Sequence, residues 1–187
     1  MNRLPSGYRM IESLDFVRNR KQMTIVFALS IAIIAAMLAI GLIAKPIAVS
    51  WRFMIKHLWT FPVFLAMQLA YIPLHEMVHG VFMRLFSRKK VRYGFQLCYA
   101  YAGSDAYFTP LQHNLIALAP LIVWGIVLAV LERALPEGWF WMLYGVQIAN
   151  FSGSAGELSC VIRALSYPRG ALIQDTGVRM RVFAPRL

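Results

Sequence analysis

Apolar and polar positions segregate into four long apolar runs separated by short charged stretches. Residues 23–44 form 22 consecutive positions without a charge. That is long enough to cross a bilayer and too long for the apolar region of a signal peptide, so it predicts a retained first span. Residues 58–86 predict a second span, with Pro62 tolerated in its first turn and Pro73 bending it midway. Residues 111–131 predict a third, entered through Gln112, His113 and Asn114 and containing Pro120. Residues 139–165 predict a fourth, opened by Trp139, Trp141 and Tyr144 as an aromatic belt.

The connecting stretches carry different patterns. In residues 1–22, Met10, Ile11, Leu14 and Val17 recur at helical spacing and predict a short helix lying on the membrane surface, with a solvated tail as the alternative. Residues 47–57 are amphipathic, with Trp51, Arg52, Lys56 and His57, and suit an interfacial connection. In 91–109 the period changes to two: Val91, Tyr93, Phe95, Leu97 and Tyr99 alternate, and Gly103-Ser104-Asp105 reads as a turn. A β-hairpin, or a pair of short strands, is expected there against the membrane face. Residues 166–187 show no clear period. The expected architecture is an all-α polytopic membrane protein, one domain over 1–187, with four transmembrane helices and a membrane-associated β-hairpin between the second and third.

Composition agrees, since 59% of residues are hydrophobic and 14% charged, outside the usual range of soluble domains. The net charge of +11 invites a nucleic-acid reading. The charge, however, lies in short runs beside the apolar segments, where it sets topology and meets anionic headgroups of the lipid bilayer. Nucleic acid is therefore excluded as a partner. Lys and Arg number five in the N-terminal stretch, five after the second span and five on the C-terminal side, against Arg133 alone after the third span. This predicts a multi-pass protein of the cell (inner or plasma) membrane with both termini in the cytoplasm; Lys45, Arg52 and Lys56 in the first loop are a mild exception. Cys98 and Cys160 make neither a metal-type spacing nor a disulfide framework.

The chemistry is concentrated in the second run, at Pro73-Leu74-His75-Glu76-Met77-Val78-His79-Gly80. Four residues apart on a helix, His75 and His79 leave the same face. Two neutral imidazoles so placed bind one zinc ion, with Glu76 positioned to take a proton from the attacking water. Ionisable groups inside a membrane-type helix are costly without a function. A catalytic zinc site usually takes three protein ligands, and the candidates for the third are Asp105, His113, Glu132, Glu157 and Asp175. Depth favours Glu157. His75 lies 17 residues after Leu58 and Glu157 lies 18 after Trp139, which puts both about 25–27 Å along parallel helices. Facing agrees: Gln147, Asn150, Ser154 and Glu157 form one polar stripe, and Gln68, Tyr71, His75 and His79 form its counterpart. Small residues at 152–156 let those helices approach closely. Asp175 and His113 remain alternatives for the third ligand. Asn150 is a candidate for binding the substrate backbone, against plain helix packing.

His75-Glu76-x-x-His79-Gly80, the strand-like 91–109, Leu118-Ala119-Pro120 and Asn150-x-x-Gly153-Ser154-x-Gly156-Glu157 together give a resemblance. The chain resembles the site-2 protease class of intramembrane zinc metalloproteases, and most closely a group of small bacterial membrane proteins classed as zincin peptidases. In that class Asp is common where Glu157 stands here. The resemblance, covering about residues 60–180, implies a zinc endopeptidase with His75, His79 and Glu157 as ligands and Glu76 as base. Its substrate would be a membrane protein or peptide held in extended form along a strand edge of 91–109. The competing function is a metal-binding membrane scaffold or regulator without turnover; a transporter is disfavoured because four spans offer no second repeat.

Overall fold

A computed structural model describes residues 4–14, 19–96 and 99–186; Val17, Cys98 and the expected strand position Leu97 lie outside the described residues. In chain order the elements are β1 (Tyr8–Leu14), α1 (Arg20–Ala44), α2 (Ile47–Lys56), α3 (Thr60–Ser87), β2 (Arg92–Gln96), β3 (Tyr99–Gly103), α4 (Pro110–Ala134), α5 (Phe140–Gly153), α6 (Ala155–Ala164), β4 (Leu172–Asp175) and β5 (Met180–Pro185). Helices dominate, and among the described residues three of them, α1, α3 and α4, are long and apolar enough to cross a membrane. The side chains they expose, such as Phe27, Ile31, Leu65, Leu69, Ile122 and Ile126, are those a lipid environment solvates. This is a membrane protein.

The expected fourth span is not one helix. A short 3₁₀ turn (Glu137–Trp139) leads into α5, and the helix breaks at Ser154 before α6 begins. The sequence Ser152-Gly153-Ser154 is poor helix material. In addition, the Ser152 hydroxyl donates back to the Ile148 carbonyl at 2.7 Å, a bond that bends helices.

The all-α expectation also needs correction, because both ends of the chain are strands. β1 pairs antiparallel with β5, which pairs with β4, in the order β1-β5-β4. The predicted surface helix over Met10, Ile11 and Leu14 is β1, with a register shift between Met10 and Glu12. In β5, Met180, Val182 and Ala184 are buried while Arg181 and Phe183 are partly exposed, the alternation of a half-buried strand. Leu14, Ile173, Met180 and Val182 pack with Cys160 and Ala164 of α6 into one apolar cluster. Arg163 of α6 donates to Glu12 at 2.7 Å, and the Tyr167 hydroxyl donates to the same carboxylate at 2.9 Å. Burial and that carboxylate raise the Tyr167 phenol well above its ordinary range. The sheet thereby fixes the C-terminal end of α6.

The hairpin is present, but Gln96 already faces Tyr99 across its ladder, so Tyr99 opens β3 and does not end a longer first strand. Gly103-Ser104-Asp105 does not join the two strands; it follows β3, where the chain bends at Asp105 and the Ser104 hydroxyl accepts from the Ala106 amide at 3.2 Å before the chain runs beside β4. The Ser104 amide donates to the Asp175 carbonyl at 2.8 Å, and Phe108 and Ile173 exchange two bonds at 2.8 Å. A Cβ on Gly103 would lie 2.1 Å from the Thr176 carbonyl oxygen, so glycine is required where hairpin and sheet meet. Thr109 then caps α4 with a capping box to Gln112, with Pro110 in the first turn, as that spacing favours.

Candidate metal centre

α3 runs through Pro73 and turns Tyr71, His75 and His79, spaced by four, toward the protein interior, where both histidines are buried. From α6, Glu157 reaches the same point. Its Oε1 lies 3.1 Å from His75 Nε2 and 3.1 Å from His79 Nε2. One ligand atom from each of the three residues falls within 4.8 Å of the other two. The equal-depth expectation for His75 and Glu157 therefore matches the placement, even though α5–α6 is broken three residues before the carboxylate.

The protons of this group follow from its surroundings. His79 Nδ1 is 2.9 Å from the Ile116 carbonyl of α4, which can only accept, so Nδ1 carries a proton and the neutral ring has its lone pair on Nε2. His75 is fixed by a longer chain. Asn150 donates through Nδ2 to the Leu121 carbonyl at 3.1 Å, leaving Oδ1 as an acceptor. The Tyr71 hydroxyl donates its single proton to that Oδ1 at 2.8 Å. At 2.5 Å from His75 Nδ1, the Tyr71 oxygen must then accept, so the neutral His75 ring also has its lone pair on Nε2. With both rings neutral, two imidazole lone pairs and a carboxylate oxygen converge on one point. Such a group takes up a cation, either protons shared between the rings and Glu157 or a metal ion in their place. Glu157 Oε2, also buried, has no hydrogen-bond partner among the described residues. Two imidazoles and a carboxylate are a zinc donor set, with outer partners on both rings as metal-ligating histidines have.

Tyr71 was visible in the polar stripe but carried no assigned role, and the Ile116 carbonyl has no side-chain signature at all. Asn150 has both ends of its amide engaged inside the bundle and is fully buried; it supports the ligands and does not face a substrate. Replacing Tyr71 with Phe removes the acceptor of His75 Nδ1–H while preserving packing. Zinc affinity is expected to fall roughly 10–100-fold with little change in fold, as read by competition with a chromophoric chelator.

Glu76 is partly buried beside this group and lines a cavity of about 540 Å³ with His79, Glu157, Ala100 and Ala102. Its carboxylate accepts a hydrogen bond from the backbone of Ala102. That amide is therefore not engaged with β2, and by the alternation of an antiparallel ladder Ala100 also turns its backbone groups to the same side. One edge of β3 accordingly forms a wall of the cavity. Gly80 leaves room for the Tyr93 ring of β2 to lie on α3: a Cβ there would come 1.9 Å from the Tyr93 hydroxyl and displace that ring.

The remaining candidates separate cleanly. Asp105 is exposed and paired with Arg92. Glu132 sits in the last turn of α4, at the opposite end from His113. His113 and Asp175 both line the cavity but are not in the convergent group; they face each other, Nε2 to Oδ2, at 3.8 Å.

A zinc-type donor set with a neighbouring glutamate, carried on membrane-type helices, defines a metallopeptidase. The family described as "Putative zincin peptidase" matches residues 68–172, more than half of the chain and all of the residues just described except Asp175. The chain belongs to that family, and with it comes zinc as the metal. Neither the curated proteins nor the solved structures give a match.

Proposed function

We propose that this protein is an intramembrane zinc-dependent endopeptidase of the site-2 protease type, cleaving membrane-embedded protein or peptide substrates. The observation that carries the reading is the convergence of three ligand atoms beside Glu76, in a cavity with a strand edge for a wall. His75, His79 and Glu157 are the ligands and Glu76 is the general base. When bound, zinc acidifies a water molecule and polarises a peptide carbonyl. Glu76 takes the proton of the attacking water and later hands it to the departing amine. The β3 edge at Ala100, beyond the Ala102 amide that Glu76 engages, receives the substrate as an added strand, because a peptide bond inside a helix is closed off by its own hydrogen bonds.

In this proposal α5 and α6 together make the fourth crossing of the cell membrane, and both termini are cytoplasmic. The basic residues Arg84, Arg88 and Lys90 near the end of α3 then face the same side. A peptidase acting on soluble chains would have no use for helices that expose Leu65, Leu69 and Met77 around its ligands.

Metal removal tests the reading. The protein in detergent, loaded with zinc, is expected to cleave self-quenched fluorescein-casein, to lose that activity in 1,10-phenanthroline and to regain it with one equivalent of zinc. Zinc-loaded protein that cleaves neither casein nor a panel of apolar transmembrane peptides would be a metal-binding scaffold instead.

A further inference from the structure

The break between α5 and α6 leaves one hydroxyl without an assignment. Ser154 is fully buried, yet its Oγ has no hydrogen-bond partner among the described residues. Ser154-Ala155-Gly156-Glu157 has the spacing of a capping box, in which the first side chain caps the helix and the fourth reaches back to the first residue's amide. Neither limb forms. The Ser154 hydroxyl makes no cap bond to α6, and the Ser154 amide is already shared between the Asn150 and Ser152 carbonyls. Glu157 Oε1 is drawn instead to His75 and His79.

Two buried polar atoms are thereby left over, a hydroxyl that can donate and a carboxylate oxygen that can only accept. Glu157 Oε2 also lacks a partner, and each atom carries its desolvation cost with nothing to offset it. Their neighbours fix where they lie. Asn150, four residues before Ser154, meets Tyr71 of α3 at 2.8 Å; Glu157, three residues after it, meets both histidines of α3. Ser154 therefore sits between them on the face of α5–α6 that turns toward the ligands. A carboxylate at the third helical position is the one that curls back over the N-cap residue, so this spacing lets the two side chains meet.

We propose that Ser154 is a positioning residue for the metal site: its hydroxyl donates to Glu157 Oε2 once Oε1 is committed to zinc. The inference rests on the ligand set of the peptidase reading and not on cleavage itself. A catalytic zinc ion keeps one position open for water or substrate. A glutamate whose second oxygen is unheld closes that position by binding through both oxygens. The bond from Ser154 keeps Oε2 off the ion, in the way that ligating carboxylates are held by outer partners.

The test compares Ser154→Ala with Ser152→Ala, which removes the neighbouring hydroxyl that bonds only the Ile148 carbonyl. In Ser154→Ala, zinc affinity measured by chelator competition is expected to fall about tenfold. Cobalt replacing zinc is expected to show the strong visible absorption of a four-coordinate ion in wild type and in Ser152→Ala. In Ser154→Ala that absorption should weaken, because the released Oε2 raises the coordination number. Wild-type affinity in Ser154→Ala, an unaltered cobalt spectrum in that variant, or the same spectral change in Ser152→Ala would each overturn the proposal. A hydroxyl that merely caps an α6 amide gives the unaltered spectrum. Failure of the ligand set shows separately, as stoichiometric zinc in Glu157→Ala. Failure of the peptidase reading shows as zinc-loaded wild type that cleaves nothing while the Ser154→Ala changes persist.

Discussion

Glu157→Ala is expected to purify without zinc, while His113→Ala retains one equivalent. Glu157 supplies the anionic member of the donor set, with one oxygen 3.1 Å from both imidazoles. Truncation leaves two neutral nitrogens and removes all of the carboxylate charge. Loss of an outer partner alone weakens metal sites roughly 10–100-fold, and removal of a ligand together with its charge must exceed that. Metal analysis after desalting, followed by chelator competition, reads the outcome. Glu157→Asp is an informative intermediate, because it keeps the charge but draws the oxygen back by one methylene along a side chain whose helix is anchored through Arg163 and Glu12. Its affinity should fall between wild type and Glu157→Ala. An alanine variant that keeps stoichiometric zinc after desalting would show that the ion is held by something else.

The placement of His75, His79 and Glu157 was legible because two regularities survive folding in a membrane. Apolar runs fix where helices enter the bilayer, and the rise per residue fixes how deep a given position lies. The break at Ser154 was missed, yet it comes so close to Glu157 that it shifts the carboxylate little along the axis. Strand β1 was misread for a specific reason. Met10, Ile11 and Leu14 satisfy helical spacing, the register shift after Met10 spoils the alternation that would have betrayed a strand, and its partner β5 lies some 170 residues away in the sequence. In β5 the alternation of Met180, Val182 and Ala184 with Arg181 and Phe183 was present but short, and six residues do not establish a period. The support around the ligands was hidden more deeply. His79 is held by a backbone carbonyl, and the Tyr71–Asn150 link depends on which way each proton points, which follows only once Leu121 is seen to accept from the amide.

Glu76→Gln is expected to keep its zinc and lose its hydrolysis. Glu76 shares α3 with the ligands but lies outside the convergent group, and its carboxylate is turned toward the β3 wall, where it meets Ala102. Glutamine has the same shape, and its amide oxygen can still accept from the Ala102 backbone, so neither metal content nor the seating of the hairpin should change. What disappears is the basic oxygen that receives the water proton and returns it to the amine. A positioned acid–base group of this kind contributes roughly 10²–10⁴-fold, and turnover of fluorescein-casein should fall by that factor with zinc stoichiometry intact. The pairing of outcomes matters more than either alone. Zinc lost along with activity would make Glu76 part of the metal's own support, and full cleavage by a zinc-loaded Glu76→Gln protein would mean that the attacking water gives its proton to another group.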